Sequence, residues 1–117
     1  MKTKDKDNTN LKEKANLKEK NNLKEKAVEN KIKKWLKDKG YWFFKVHGSI
    51  FQPSGIPDIL ACINGKFVAI EVKRSEGGII SPLQKAQIAK IKENGGISGV
   101  ACSMEEFLEI LKEGGLL

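Results

Sequence analysis

The stretch DILACINGKFVAIEVK, residues 58–73, decides the fold, because two apolar runs within it flank the dipeptide Asn64-Gly65. Asn-Gly between apolar runs is the strongest short-range signal for a β-hairpin with a two-residue loop. If the residues on either side of that loop pair, the same register places Asp58 directly opposite Glu71. Directly opposed residues have Cβ atoms roughly 4.5–5.5 Å apart. The sequence therefore predicts two closely spaced carboxylates at the open end of the hairpin.

The charged residues at this end of the hairpin are surrounded by apolar ones. Lys73 follows Glu71 by two positions, so both side chains point to the same face of the sheet. Both faces of the hairpin are apolar, which predicts a central position with cover on both sides. An exposed hairpin end with an incidental Glu71–Lys73 ion pair is the alternative. The opposed carboxylates in apolar surroundings favour a divalent metal between them, or else the Lys73 ammonium.

The chain before and after the hairpin predicts further elements. Helical spacing of apolar residues from about Val28 predicts a helix that stops at Gly40. The aromatic run at residues 41–46 predicts a strand. The dipeptide Gly77-Gly78 breaks the chain after the hairpin.

The C-terminal third predicts a helix, a strand and a closing helix. Ser81 and Gln84 have the spacing of a capping box around Pro82, which marks the start of the first of these helices. Residues 97–102 predict a strand, and Ser103 is a suitable N-cap for the last helix. The predicted order is α-β-β-β-α-β-α.

Two short motifs in this chain resemble a known signature. Pro57-Asp58 followed by Glu71-Val72-Lys73 is similar to the PD-(D/E)xK nuclease superfamily. A longer string is similar to the VRR-NUC branch of that superfamily: GIPDI, GKFVAIEVK and SPLQ, residues 55–59, 65–73 and 81–84. The resemblance implies a restriction-endonuclease-like α/β core, in which helices flank a central mixed sheet. It also implies a DNA endonuclease that acts on branched DNA as a homodimer, as in small phage and bacterial members.

The resemblance implies a metal site built on oxygen ligands. Carboxylates and carbonyls with retained waters suit Mg²⁺ or Mn²⁺. Asp58 and Glu71 are the expected ligands, and the Val72 backbone carbonyl is implied as a third. An acidic residue on the first helix assists the metal in similar proteins, usually through water, and Glu29 has that position. An ordinary solvated glutamate is the alternative for Glu29.

The other implied site residues act on water, phosphate or DNA. Lys73 is expected to hold the attacking water or contact the scissile phosphate, and a nearby metal would favour its neutral form. Gln84 is expected to orient water or phosphate, or else serves only to cap its helix. The candidate DNA contacts are Lys45, Lys66 and Arg74, for which an ordinary basic surface is the alternative.

The charge balance is basic and unevenly distributed. The net charge is +7, and Arg74 is the only arginine among 22 Lys and Arg residues. A lysine-dominated surface favours phosphate contacts over reading of base edges. Residues 1–26 carry nine lysines and five acidic residues, and Leu-Lys-Glu-Lys recurs there with a period of six, which gives no apolar stripe. We predict a leader at residues 1–26, disordered or transiently helical, and a nuclease-like domain at residues 27–117.

The composition gives no sign of a membrane or a disulfide. No apolar run reaches 18 residues and no signal-peptide core is present, so we expect a cytoplasmic protein without a membrane partner. Cys62 and Cys102 fall in predicted strands and are expected to be reduced core residues. The rival to an enzyme is a non-catalytic basic DNA-binding module on a nuclease-like fold. The complete set of Asp58, Glu71 and Lys73 favours the enzyme.

Overall fold

The computed structural model describes residues 2–74 and 78–117, with side chains from residue 10 onward. Its helices and strands are α1 (Lys2–Asp38), β1 (Trp42–Lys45), β2 (Ile59–Ile63), β3 (Lys66–Val72), α2 (Pro82–Glu93), β4 (Ile97–Ala101) and α3 (Met104–Glu113). The strands form one sheet in the order β1-β2-β3-β4, antiparallel except for the parallel pair β3 and β4. The predicted α-β-β-β-α-β-α order and restriction-endonuclease-like core are confirmed. The predicted break at Gly77-Gly78 lies partly outside the described residues.

The central hairpin has the predicted turn and register. The residues of Asn64-Gly65 have φ angles of 50° and 80°, and positive φ at both positions is the mark of a type I′ turn. β2 pairs with β3 from Ile63 opposite Lys66 to Ile59 opposite Ile70. The turn therefore fixes which residues of the two strands meet.

One face of the sheet carries the hydrophobic core. Its strand residues are all buried: Ile59, Ala61, Ile63, Val68, Ile70 and Val72. They pack against α1 and α3, which contribute Ile32, Leu36, Phe107 and Leu111. The closing helix α3 begins at the predicted cap, because the Ser103 side chain accepts a hydrogen bond from the Glu106 backbone N–H.

The opposite face of the sheet is covered only in part, so the prediction of cover on both sides of the hairpin was wrong for β2. Helix α2 packs on β3 and β4 and leaves the outer half of this face open. Trp42 and Phe44 on β1 are 62% and 51% exposed, and Cys62 on β2 is exposed as well. An apolar side chain in a strand indicates a buried face only if another element packs there. Among residues 2–74 and 78–117, α2 packs on β3 and β4, and Trp42, Phe44 and Cys62 stay exposed.

The first helix is much longer than predicted. It begins at Lys2 instead of about Val28, so residues 2–26 are continuous with the helix of the domain. This segment has no Gly or Pro, and Lys, Glu, Leu and Ala are good helix formers. Residues 10–20 are all exposed. The division into a leader and a domain at residue 26 stays a prediction.

The cysteines are not core residues as predicted. Cys62 is exposed on the open face of β2, and Cys102 follows β4 and is half-buried. Both are free thiols. Across residues 2–74 and 78–117, none of the helices is long and apolar enough to cross a membrane.

Candidate active site

Asp58 is held at the start of β2 by two backbone interactions. Its Oδ2 accepts a hydrogen bond of 2.8 Å from the Val72 N–H, at the end of β3. Its backbone carbonyl accepts a hydrogen bond of 2.7 Å from the Val46 N–H, just after β1. The Asp58 carboxylate therefore lies where three strands come together, opposite Glu71 as the hairpin register predicts.

Glu71 lies in β3 with 2% of its surface exposed, and it lines the same cleft as Asp58. Burial, followed by the hydrogen bond and charge of Asp58, raises the pKa of Glu71 well above its usual range, although Lys73 and Lys45 act in the opposite direction. Burial beside a second carboxylate therefore disfavours the ionised form of Glu71.

This donor set fits a hard divalent cation. A cation bound by two adjacent carboxylates offsets their mutual repulsion and favours their ionised forms. Mg²⁺ and Mn²⁺ prefer such oxygen ligands and retain several waters. Over residues 2–74 and 78–117, no group of three or more His, Cys, Asp or Glu side chains is arranged to hold a metal. A metal bound by Asp58 and Glu71 would therefore depend on a backbone carbonyl and on waters to complete its coordination.

Gln84 connects the start of α2 to the carboxylate pair. Its Oε1 accepts a hydrogen bond of 2.9 Å from the Ser81 N–H, and the Ser81 Oγ accepts one from the Gln84 N–H. The predicted capping box is therefore present. Gln84 Nε2 donates a hydrogen bond of 2.7 Å to Glu71 Oε2. One side chain thus serves as helix cap and as a support for the Glu71 carboxylate.

Gly55 brings the loop between β1 and β2 against α2. Its φ is +82°, and a Cβ there would lie 2.6 Å from the Leu83 backbone carbon and 2.8 Å from the Gln84 nitrogen. Nearby, Gln87 Nε2 donates a hydrogen bond of 3.4 Å to the Ser54 carbonyl. Gly55 was part of the sequence motif, but sequence reasoning gave it no role. The sequence did contain a signal for this contact, namely a glycine shortly before the Pro-Asp pair. Glycine is favoured where another backbone segment comes so close that a side chain would not fit.

Glu29 is surrounded by three lysines. Lys45 Nζ lies 2.7 Å from its Oε1, while Lys26 and Lys33 lie 3.0 and 3.1 Å from its Oε2. Burial opposes ionisation of Glu29, but the hydrogen bonds from these lysines outweigh it and lower the pKa to about 2. Sequence reasoning missed Lys26 and Lys33, although both are one helical turn from Glu29 on α1.

Lys45 links Glu29 to the carboxylate pair, because its Nζ is also 3.6 Å from Asp58 Oδ1. Burial disfavours its charged form, but the hydrogen bond and charge of Glu29 and the charge of Asp58 outweigh this and raise the pKa of Lys45. Lys45 is therefore a permanent cation beside Asp58. Glu29 reaches Asp58 through this ammonium group.

Two cavities meet at Asp58. The larger, of about 310 Å³, is bounded by the β1–β2 loop and contains Asp58, Glu71 and Gln84. The smaller, of about 130 Å³, contains Glu29, Lys45 and Asp58. The carboxylate pair is therefore accessible from a cleft, as a substrate site requires.

The remaining candidate DNA contacts lie at different ends of the sheet. Arg74 directly follows the site and lies 3.9 Å from Glu25 on α1. Lys66 begins β3, and its Nζ is 3.3 Å from the Gly114 carbonyl. Five residues of extended strand separate Lys66 from Glu71 by about 16 Å. The structure thus brings Lys45 and Arg74 towards the site but not Lys66.

The chain matches a known protein family. The family model described as archaeal Holliday junction resolvase (Hjc) matches residues 20–110, from within α1 to within α3. The matched range includes all the candidate site residues and both cavities that meet at Asp58. No significant match was found among curated proteins or among solved structures.

Proposed function

This chain belongs to the archaeal Holliday junction resolvase family, and on that premise we propose that it is a metal-dependent endonuclease that cuts four-way DNA junctions. The family belongs to the PD-(D/E)xK superfamily and consists of nucleases that act on branched DNA. The observation that carries the proposal is the carboxyl pair of Asp58 and Glu71, which lines one open cleft together with Gln84. The narrower similarity to the VRR-NUC branch concerns the motif string alone.

We assign the metal to this pair of carboxylates. Asp58, Glu71 and the Val72 carbonyl would hold Mg²⁺ or Mn²⁺, which supplies an activated water and neutralises charge on the phosphate when bound. Gln84 fixes the Glu71 carboxylate through its 2.7 Å hydrogen bond. Glu29 acts on the site indirectly, because it contacts Lys45, and Lys45 in turn lies beside Asp58.

The lysines of the site contribute positive charge where phosphate enters. Lys73 follows Glu71 by two positions, and its charge favours the ionised Glu71 carboxylate. We propose that Lys73 holds the attacking water or contacts the scissile phosphate. Lys45 and Arg74 are proposed to contact neighbouring phosphates. We propose no direct role for Lys66 at the reaction centre, because it begins β3 at the opposite end of the strand.

The proposal is tested by cleavage of a synthetic four-way junction. The wild-type protein should cut the junction in Mg²⁺ or Mn²⁺ and leave a linear duplex of the same sequences largely uncut, because the family acts on branched DNA. EDTA should stop cleavage. Cleavage products are resolved on a denaturing gel with each strand labelled in turn.

The same experiment separates the enzyme from the binding module. A non-catalytic module would retard the junction in a native gel, with or without metal, and produce no cut strand. Junction binding without cleavage in both Mg²⁺ and Mn²⁺ would therefore contradict the nuclease proposal and support a non-catalytic DNA-binding module.

We also propose that two chains pair through the open part of the sheet. Trp42 and Phe44 are more than half exposed, and Cys62 beside them is exposed too. Contiguous exposed apolar surface marks an interaction site. A two-fold symmetric dimer would cover this surface and place two active sites on one junction.

The dimer predicts the effect of a double substitution. Trp42→Ser together with Phe44→Ser should convert a dimer into single chains of 13.0 kDa, because it removes the apolar surface but no core contact. Leu11→Ser is the control, since Leu11 is 64% exposed on the N-terminal part of α1. Light scattering at micromolar concentration measures the mass. A wild-type mass of one chain, free and with a junction, would contradict the dimer.

A further inference from the structure

Two large apolar side chains project from the loop between β1 and β2. Ile50 is 93% exposed and Phe51 is 92% exposed. Within residues 10–74 and 78–117, no other large apolar side chain is exposed to this degree. Because they lie in a loop beside the candidate active site, we expect them to contact an apolar surface of a binding partner.

The two exposed side chains lie at the corners of a hydrogen-bonded turn. The Gln52 N–H donates a hydrogen bond of 3.3 Å to the Ser49 carbonyl, which closes a four-residue turn. The Phe51 N–H donates one of 3.0 Å to the Ser49 Oγ. Ile50 and Phe51 therefore occupy the two corner positions, where Pro, Gly, Asn and Asp are usual. The turn would form with polar corner residues, so its folding does not explain the apolar pair.

The base of the loop is held by contacts with α2, whereas the side chains at its tip are exposed. Gly55 is in close contact with the backbone at the start of α2, and Gln87 donates a hydrogen bond to the Ser54 carbonyl. Ser49 and Gln52 line the cleft that contains the carboxylate pair. The apolar tip is therefore held at the mouth of the cleft into which the scissile strand must enter.

We propose that Phe51, flanked by Ile50, is a wedge that stacks on a base pair at the branch point of the junction and positions the adjacent phosphate in the cleft. This inference rests on the proposed function, and it adds that the site selects its substrate by the exposed base-pair face at the branch point. Continuous duplex offers no free base-pair face, whereas a branch point exposes one wherever its stacking is interrupted. Aromatic rings stack on bases of any sequence, and apolar wedges open base steps in bent DNA.

The test compares binding of a junction and of a duplex in EDTA, so that binding is measured without cleavage. Phe51→Ala should weaken junction binding roughly 5- to 150-fold, which is the effect of losing one base–aromatic stack. Its duplex binding should be unchanged, because that depends on phosphate contacts. Phe51→Trp should retain junction affinity, since it keeps a flat aromatic ring. Leu117→Ala is the control for loss of an exposed apolar side chain, because Leu117 is 60% exposed at the C-terminus.

A fluorescent base reports on stacking directly. With 2-aminopurine at the branch point, wild type and Phe51→Trp should change its fluorescence on binding, and Phe51→Ala should not. Equal junction affinity and equal fluorescence change for wild type and Phe51→Ala would overturn the wedge. A changed oligomeric mass for Phe51→Ala in light scattering would also overturn it, because the tip would then be a protein contact.

The readouts distinguish this inference from the proposed function. Wild-type protein that shows Phe51-dependent junction binding but cuts nothing in Mg²⁺ or Mn²⁺ would overturn the nuclease and support the wedge. Wild-type protein that cuts junctions with no dependence of binding on Phe51 would support the nuclease and overturn the wedge.

Discussion

The Asp58→Asn variant is expected to cut junction DNA on the order of 10³-fold more slowly than the wild-type protein, which is the effect of removing one preorganised electrostatic group from a reaction centre. Asparagine is similar in size and can accept the hydrogen bond from the Val72 N–H, so the fold should be retained. The substitution removes the negative charge that a metal and Lys45 require. Junction binding should stay near the wild-type value, because it comes from many phosphate contacts.

Thermal stability gives a readout of the same site that does not depend on cleavage. Mn²⁺ should stabilise the wild-type protein by about 2.7 kcal/mol at a hundredfold excess over Kd, because only the folded chain holds the carboxylates together. Asp58→Asn should lose most of this response. Glu109→Gln is the matched control, since it removes an exposed carboxylate on α3. Wild-type rates and a wild-type Mn²⁺ response in Asp58→Asn would show that the carboxylate pair is not the reaction centre.

The Gly55→Ala variant is expected to lose stability and activity together. Alanine at a φ of +82° costs about 1–2 kcal/mol. Its Cβ would also lie 2.6 Å from the Leu83 backbone, and overpacking of this kind adds about 1–3 kcal/mol. The loop or the start of α2 must move to relieve the contact. Since Gln84 supports Glu71 from that helix start, cleavage should fall about 10²-fold.

Gly40→Ala separates backbone strain from close packing. Gly40 has a similar φ of +76°, but nothing lies within 4 Å of a Cβ built there. Its substitution should therefore cost only the 1–2 kcal/mol of strain, with cleavage unchanged. Urea unfolding and junction cleavage measure both variants. Equal stability loss and full activity in the two variants would contradict the proposed role of the loop–helix contact.

Local sequence was sufficient to predict those contacts whose geometry is set by residues close together in the chain. Asn64-Gly65 has backbone preferences that select a type I′ turn, and the turn sets the pairing that brings Asp58 and Glu71 together. The same holds for Ser81 and Gln84, whose capping box joins groups only three residues apart. In both cases the interacting residues are close in sequence or are connected by one tight turn, so few alternatives exist.

Contacts between distant segments were not predictable from such rules. Gln84 caps its helix as predicted, and its Nε2 also donates a hydrogen bond to Glu71, a contact that the sequence did not indicate. The three lysines around Glu29 include two helical neighbours and Lys45 from β1. Only the packing of α1 against the sheet brings Lys45 to this carboxylate.

By itself, the sequence determined the order of helices and strands along the chain, the hairpin register and the pair of carboxylates, because these depend on periodicity and on turn chemistry within about 15 residues. The tertiary structure alone decided which face of the sheet is covered, how far α1 extends from the domain, and where the loop tip of Ile50 and Phe51 lies. These features depend on which elements pack together over long separations along the chain. A residue's own polarity does not specify its packing partner, and for that reason the open face of β1 and β2 and the apolar tip became visible only in the folded protein.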